Sequence, residues 1–189
     1  MAFEGFFLAI TVNLFAEIAD KTQLVIMALS AKHGKPAMVY VSAMLGIALA
    51  TLISVLAGGF IGSLISKSVL QAVAGIAFVA FAVYGFFHEE EEEGLKGKSL
   101  SFAPVFMLVF LSEISGDKSQ IANLLLSTQF NWLGVFAGAM TAIMAIGIIS
   151  VLLGKKLSEK LEAKAVKMLS SIVFLAAGLY FIALALGAL

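Results

Sequence analysis

Six long apolar stretches follow one another along the chain, near residues 3–30, 37–58, 68–87, 101–129, 132–153 and 166–188. Each is long enough to cross a hydrocarbon layer of roughly 30 Å, which takes about 20 helical residues. Backbone groups in lipid must pair within their own segment, and the chain lacks strand-like alternation of barrel length, so the spans are predicted to be helices. Both prolines, Pro36 and Pro104, fall near the start of a span, where a helix tolerates them. The pattern therefore predicts an all-α integral membrane protein with six transmembrane helices.

Two spans break the pattern in the same way. "AEIADKTQ", Ala16 to Gln23, and "SEISGDKSQ", Ser112 to Gln120, each place two acids and a lysine inside an apolar run. Glu17, Asp20 and Lys21 lie three and four residues apart, so one helix face carries all three; Asn13 extends that face by one turn. Glu113, Asp117 and Gln120 share a face in the second copy. A charged residue at the centre of a membrane helix costs roughly 2.5–3.5 kcal/mol. Six independent ones would cost on the order of 15–20 kcal/mol, more than the stability margin of most proteins. They must offset one another and balance a bound partner.

The two motifs belong to a longer repeat. At a shift of 96, Glu17 meets Glu113, Ala43 and Met44 meet Ala139 and Met140, Ser54 meets Ser150, Gly58 meets Gly154, Phe78 meets Phe174, and Tyr84 meets Tyr180. Asp20, Lys21 and Gln23 meet Asp117, Lys118 and Gln120 at a shift of 97, so the second copy holds one extra residue between Glu and Asp. Glu113 reaches its partners only if the fourth helix is bulged or unwound there. Each half has three spans, an odd number, so the second half enters the membrane from the opposite face. The expected organisation is a 3+3 inverted-topology repeat. Residues 1–87 and 101–189 form the halves, residues 88–100 form an acidic cytoplasmic linker, and helices 1 and 4 are kinked or broken at the acidic motifs. Such repeats place a substrate site near the midplane. Glycines in and beside the second and fifth spans, among them Gly46, Gly58 and Gly138, favour close helix contact.

Composition bounds the chemistry. Of 189 residues, 61% are hydrophobic and 13% charged, with a net charge of zero, which argues against a nucleic-acid partner. Cysteine is absent, so disulfides and thiol chemistry are excluded. No basic region and small-residue cleavage site precede the first apolar run, which is expected to be a retained helix rather than a removed signal peptide. All 12 basic residues are lysines. Six spans put Lys32, Lys35, Lys96, Lys98, Lys155, Lys156, Lys160, Lys164 and Lys167 on one side and Lys67 alone on the other. Basic loops stay cytoplasmic, so a multi-pass protein of the cell (inner) membrane with both termini outside the cytoplasm is expected. The glutamates of "HEEEEEGLKGKSL" read as a solvated linker, and "GKKLSEKLEAKAVK" as an interfacial helix.

Four carboxylates and two lysines at membrane depth sum to −2 when ionised, the charge that one divalent cation neutralises. Thr22, Gln23, Ser119 and Gln120 add hydroxyl and amide donors. This oxygen-only shell suits Ca²⁺, Mn²⁺ or Mg²⁺ and disfavours Cu⁺ or Zn²⁺. The candidate metal ligands are Glu17, Asp20, Thr22, Gln23, Glu113, Asp117, Ser119 and Gln120. Lys21 and Lys118 are candidate counter-ions that balance the acids when the metal is absent, or else salt bridges that hold helices together. Carboxylates that hold a cation hold protons in its place, which is the physical basis of exchange.

At these motifs the sequence resembles the Gdt-type family of calcium/manganese–proton antiporters, whose mark is Glu-x-Gly-Asp-Lys/Arg-Thr/Ser once in each three-helix half. The first copy here is Glu17-Ile18-Ala19-Asp20-Lys21-Thr22, with alanine in the glycine position. The second is Glu113-Ile114-Ser115-Gly116-Asp117-Lys118-Ser119, one residue longer. The resemblance implies the fold of the lysine-exporter superfamily and export of divalent cations from the cytoplasm, with the motif acids as ligands.

The expected function is a secondary transporter, not an enzyme. It exports Mn²⁺ and/or Ca²⁺ in exchange for H⁺ (or Na⁺), needs no prosthetic group and works in a lipid bilayer. Oligomeric state is left open. The alternative is export of a small organic cation such as a basic amino acid in the same fold. An aspartic-protease pair of Asp20 and Asp117 fits poorly, because a lysine follows each aspartate and such a pair must share a proton.

Overall fold

The computed structural model describes residues 2–17, 22–23, 26, 29–30, 35–87, 101–115, 117–158 and 163–187. Among these the elements are helices: α1 (Ala2–Glu17), α2 (Pro36–Leu64), α3 (Lys67–Phe87), α4 (Phe102–Ile114), α5 (Lys118–Gln129), α6 (Trp132–Ser158) and α7 (Ala163–Ala185). Thr22, Gln23, Ile26, Leu29 and Ser30, between α1 and α2, are helical as well. The linker at 88–100 lies outside the described residues.

Among the described residues, three helical stretches are long and apolar enough to cross a membrane: Pro36–Leu64, Lys67–Tyr84 and Trp132–Leu152. Phe102–Ile114 and Ser171–Ala185 are shorter apolar helices. Pro36 opens α2 in its first turn, where the missing N–H has no intrahelical partner to lose. The apolar run at 101–129 forms two helices, not one. Of the lysine-rich stretch expected as an interfacial helix, the part up to Ser158 belongs to α6 and the part from Ala163 to α7. Its Lys, Leu, Ala and Glu residues are strong helix formers. Residues 159–162 are outside the described set.

Polarity is distributed inside out. Phe60, Phe87 and Leu152 lie on the surface at 66%, 81% and 77% exposure, while Asn13, Glu17, Glu113 and Asn123 are at 0–1%. Lipid is as apolar as the side chains facing it, so close packing and interhelical hydrogen bonds hold such a bundle together. The most extensive pairing is α3 with α7; α1 packs chiefly on α6, α4 on α2, and α2 also on α5 and α6. Phe78 stands at the α3–α7 seam, 5.8 Å from both Phe174 and Phe181 between ring centroids and nearly parallel to Phe181. Two glycines set the closest approaches. A Cβ on Gly58 would run into the Leu124 carbonyl oxygen, and one on Gly138 into that of Phe6. Only glycine lets α2 lie this close to α5, and α6 to α1.

Among the described residues, the buried apolar side chains form two clusters. One joins α1, α3, α5 and α7, with Val55 of α2 and Val135 of α6, around Phe78, Phe174 and Phe181. The other joins Ile26, α2, α4 and α6 around Ile47, Val109 and Ile143.

Candidate metal centre

The fourth apolar span stops where its charges begin. α4 ends at Ile114, Ser115 follows with φ −75° and ψ 9°, and Asp117 takes an extended ψ of 141° before α5 starts at Lys118. Asp117 caps α5: its Oδ1 accepts from the Ser119 backbone N–H at 2.8 Å and from the Ser119 hydroxyl at 2.9 Å. Aspartate is among the best residues for this position, because its side chain satisfies an orphan amide and its charge faces the positive end of the helix. The residue in excess over the first motif is thus absorbed by an interruption of the helix.

That interruption brings three carboxylates together. One oxygen each from Glu17, Glu113 and Asp117 lie within 4.8 Å of one another, and all three residues are buried. Oxygens that share one ion at roughly 2.3–2.6 Å stand at most about 5 Å apart, so the cluster has the dimensions of a single dehydrated cation. Of the other sequence-derived candidates, Asp20, Lys21 and Gly116 lie outside the described residues.

Thr22, Gln23, Ser119 and Gln120 hold the acids in place. The Thr22 hydroxyl donates to Glu113 Oε1 at 2.8 Å, and Gln120 Nε2 to Glu113 Oε2 at 2.8 Å. Gln23 Nε2 donates to Glu17 Oε2 at 3.3 Å. Gln23 Oε1 accepts from the Ser150 hydroxyl at 3.1 Å, which fixes the amide's orientation. Gln120 Oε1 is buried and has no hydrogen-bond partner among the described residues, so it offers a neutral oxygen beside Glu113. Lys118, half-buried, is the first residue of α5.

One turn from Glu17 the structure adds a feature that sequence reasoning missed. The Asn13 and Asn123 side-chain amides bond reciprocally, Nδ2 to Oδ1 at 2.7 and 3.0 Å, and Asn13 Nδ2 also reaches the Ala9 carbonyl at 2.8 Å. The available signal was spacing: Asn123 lies three residues after Gln120, on the same helix face.

Buried carboxylates from two parts of the chain, hydrogen-bonded by amides and hydroxyls, form an anionic oxygen site inside an apolar bundle. The profile described as "Divalent cation/proton antiporter GDT1" matches residues 5–93 and 101–188, nearly the whole chain. The chain belongs to the GDT1 family of divalent cation/proton antiporters. Among GDT1 relatives, GDT1-like protein 3 of Oryza sativa subsp. indica is 26% identical over 92% of this chain and 71% of its own. A Vibrio cholerae protein named "Putative manganese exporter" is 27% identical over 89% of this chain and 85% of its own. The Schizosaccharomyces pombe GDT1-like protein C186.05c is 36% identical over 44% of this chain and 32% of its own. No solved structure was found to match. With its apolar helices, this GDT1 family member is a multi-pass membrane cation transporter.

Proposed function

We propose that the protein exports divalent cations, Mn²⁺ and/or Ca²⁺, from the cytoplasm in exchange for H⁺. The observation that carries this is the buried triad of Glu17, Glu113 and Asp117, whose oxygens close on a space the size of one ion. A basic amino acid would need more room than that. Asp20 is proposed as a further acidic ligand, and Thr22, Gln23, Ser119 and Gln120 orient the acids or complete the oxygen shell. When the cation leaves, protons take its place on the carboxylates, with Lys21 and Lys118 balancing the remaining charge. The name of the Vibrio cholerae relative supports Mn²⁺ as cargo.

The halves at 1–87 and 101–189 act as an inverted repeat. In support, packing is reciprocal between them. The first helix of each half lies on the long helix of the other, α1 on α6 and α4 on α2, and the repeat mates Phe78 and Phe174 meet at the seam of α3 and α7. Lysine distribution supports an inner-membrane orientation with both termini outside.

The test is uptake by proteoliposomes under an imposed pH gradient, with Mn²⁺, Ca²⁺, Mg²⁺ and lysine offered in turn. Gradient-dependent movement of Mn²⁺ or Ca²⁺, lost in Glu17→Gln and Glu113→Gln, is the expected result. Movement of lysine alone would replace this function with export of an organic cation.

A further inference from the structure

Both halves carry a stripe of buried residues that starts at the cation site. On α5 it comprises Gln120, Asn123 and Ser127; in the other half, displaced by 97 positions, it comprises Gln23, Ile26 and Ser30. A spacing of i, i+3, i+7 keeps each stripe on one helix face. All six residues are at least nine-tenths buried. The hydroxyls of Ser127 and Ser30 have no hydrogen-bond partner among the described residues. A buried hydroxyl left this way keeps its full desolvation penalty, which is hard to account for as packing in two matched places.

The stripes differ at the middle step. Asn123 pairs with Asn13 of α1. Their counterparts, Ile26 and (at a shift of 96) Val109, are fully buried in one apolar cluster with Val39, Ala43 and Ile47. The amide pair also stands between two polar places. On α1 it falls between Glu17 and Glu4, and on α5 between Asp117 and Gln129. Glu4 and Gln129, with Lys67 and Gln71, line a cavity of about 190 Å³ at that end of the bundle.

We infer that the Asn13–Asn123 pair is a second, transient resting place for the divalent cation between the carboxylate cluster and this cavity, and that Ile26 and Val109 form a dry gate at the matching place in the other half. The inference rests on the transport function proposed above. Each amide oxygen accepts one hydrogen bond within the pair and keeps a second lone pair. Two neutral hard oxygens suit Ca²⁺ or Mn²⁺, yet bind weakly enough to release the ion. Ser127 supplies the next oxygen towards the cavity. The apolar step carries no donor, so passage there requires Ile26 and Val109 to move apart.

The chain has no cysteine, which makes single-cysteine labelling clean. In detergent, where both ends of the bundle are accessible, Ser127→Cys is expected to react with a charged methanethiosulfonate reagent at least about tenfold faster than Ser30→Cys, since apolar constrictions exclude water. Saturating Mn²⁺ should slow the faster reaction. In proteoliposomes, Asn13→Val with Asn123→Ile should lower the initial Mn²⁺ flux about tenfold or more, while equilibrium Mn²⁺ binding, read by electron paramagnetic resonance, changes by less than about threefold. Equal labelling rates at the two serines, or full flux in the double variant, would overturn the inference. Should the double variant fail to insert, the labelling comparison decides alone. Wild-type vesicles that move neither Mn²⁺ nor Ca²⁺ would instead remove the transport function, and the labelling would still report which side is wet.

Discussion

The two glutamates of the site begin from near-identical sequence and end with unequal surroundings. Each accepts a hydrogen bond from the glutamine of its own motif, Glu17 from Gln23 at 3.3 Å and Glu113 from Gln120 at 2.8 Å. The hydroxyl residues that follow the lysines then part company. Thr22 crosses to Glu113, whereas Ser119 turns back to cap its own helix through Asp117. Glu113 is thus gripped by side chains from both halves of the chain. The two motifs carry the same residue types, and the extra residue before Asp117 goes with different roles for them.

The largest effects test whether both glutamates are indispensable. Glu17→Gln and Glu113→Gln should each lower Mn²⁺ or Ca²⁺ export at least about a hundredfold with the protein still inserted, since even orienting partners of a metal ligand are worth roughly 10–100-fold. Normal flux in both would leave the comparison without a subject. Asp117 separates charge from cap. Asp117→Asn keeps a good capping side chain and should lose export at near-wild-type thermal stability, while Asp117→Ala should lose export and about 1 kcal/mol of stability as well. Equal melting temperatures for the two variants would refute the capping role.

Smaller effects probe the unequal grip. Gln120→Leu should weaken Mn²⁺ binding about tenfold, and Gln23→Leu by less, because orienting bonds matter in proportion to their quality; equal losses in equilibrium binding would show that the half-sites are equivalent. Gly58→Ala should lower stability by about 1–3 kcal/mol through overpacking between α2 and α5, measured by thermal unfolding in detergent. Ser150→Ala, which removes one bond to Gln23, should cost only about 0.5–1.5 kcal/mol, and an unchanged melting temperature would count against the contact.

The sequence announced the charged residues because their cost in lipid is large enough to demand a reason. Glu17, Glu113 and Asp117 were found from that cost together with their repetition. The helical class followed from the apolar runs. Asn123 escaped notice because one polar residue in an apolar run has no evident partner until α1 and α5 are set side by side. Ser150 was aligned with Ser54, but its bond to Gln23 spans 127 residues, a separation no local pattern encodes. The lysine-rich stretch expected as an interfacial helix divides between the end of α6 at Ser158 and the start of α7 at Ala163.

The 29 residues of α2 measure about 43 Å at 1.5 Å per residue, against roughly 30 Å of hydrocarbon. Such a helix leans, or its ends protrude, and the angle it adopts follows bilayer thickness. Because Gly58 rests directly on the Leu124 carbonyl, any lean of α2 passes to α5 and hence to Asp117. Acyl-chain length in reconstituted vesicles thereby becomes a physical control on how tightly the acids close.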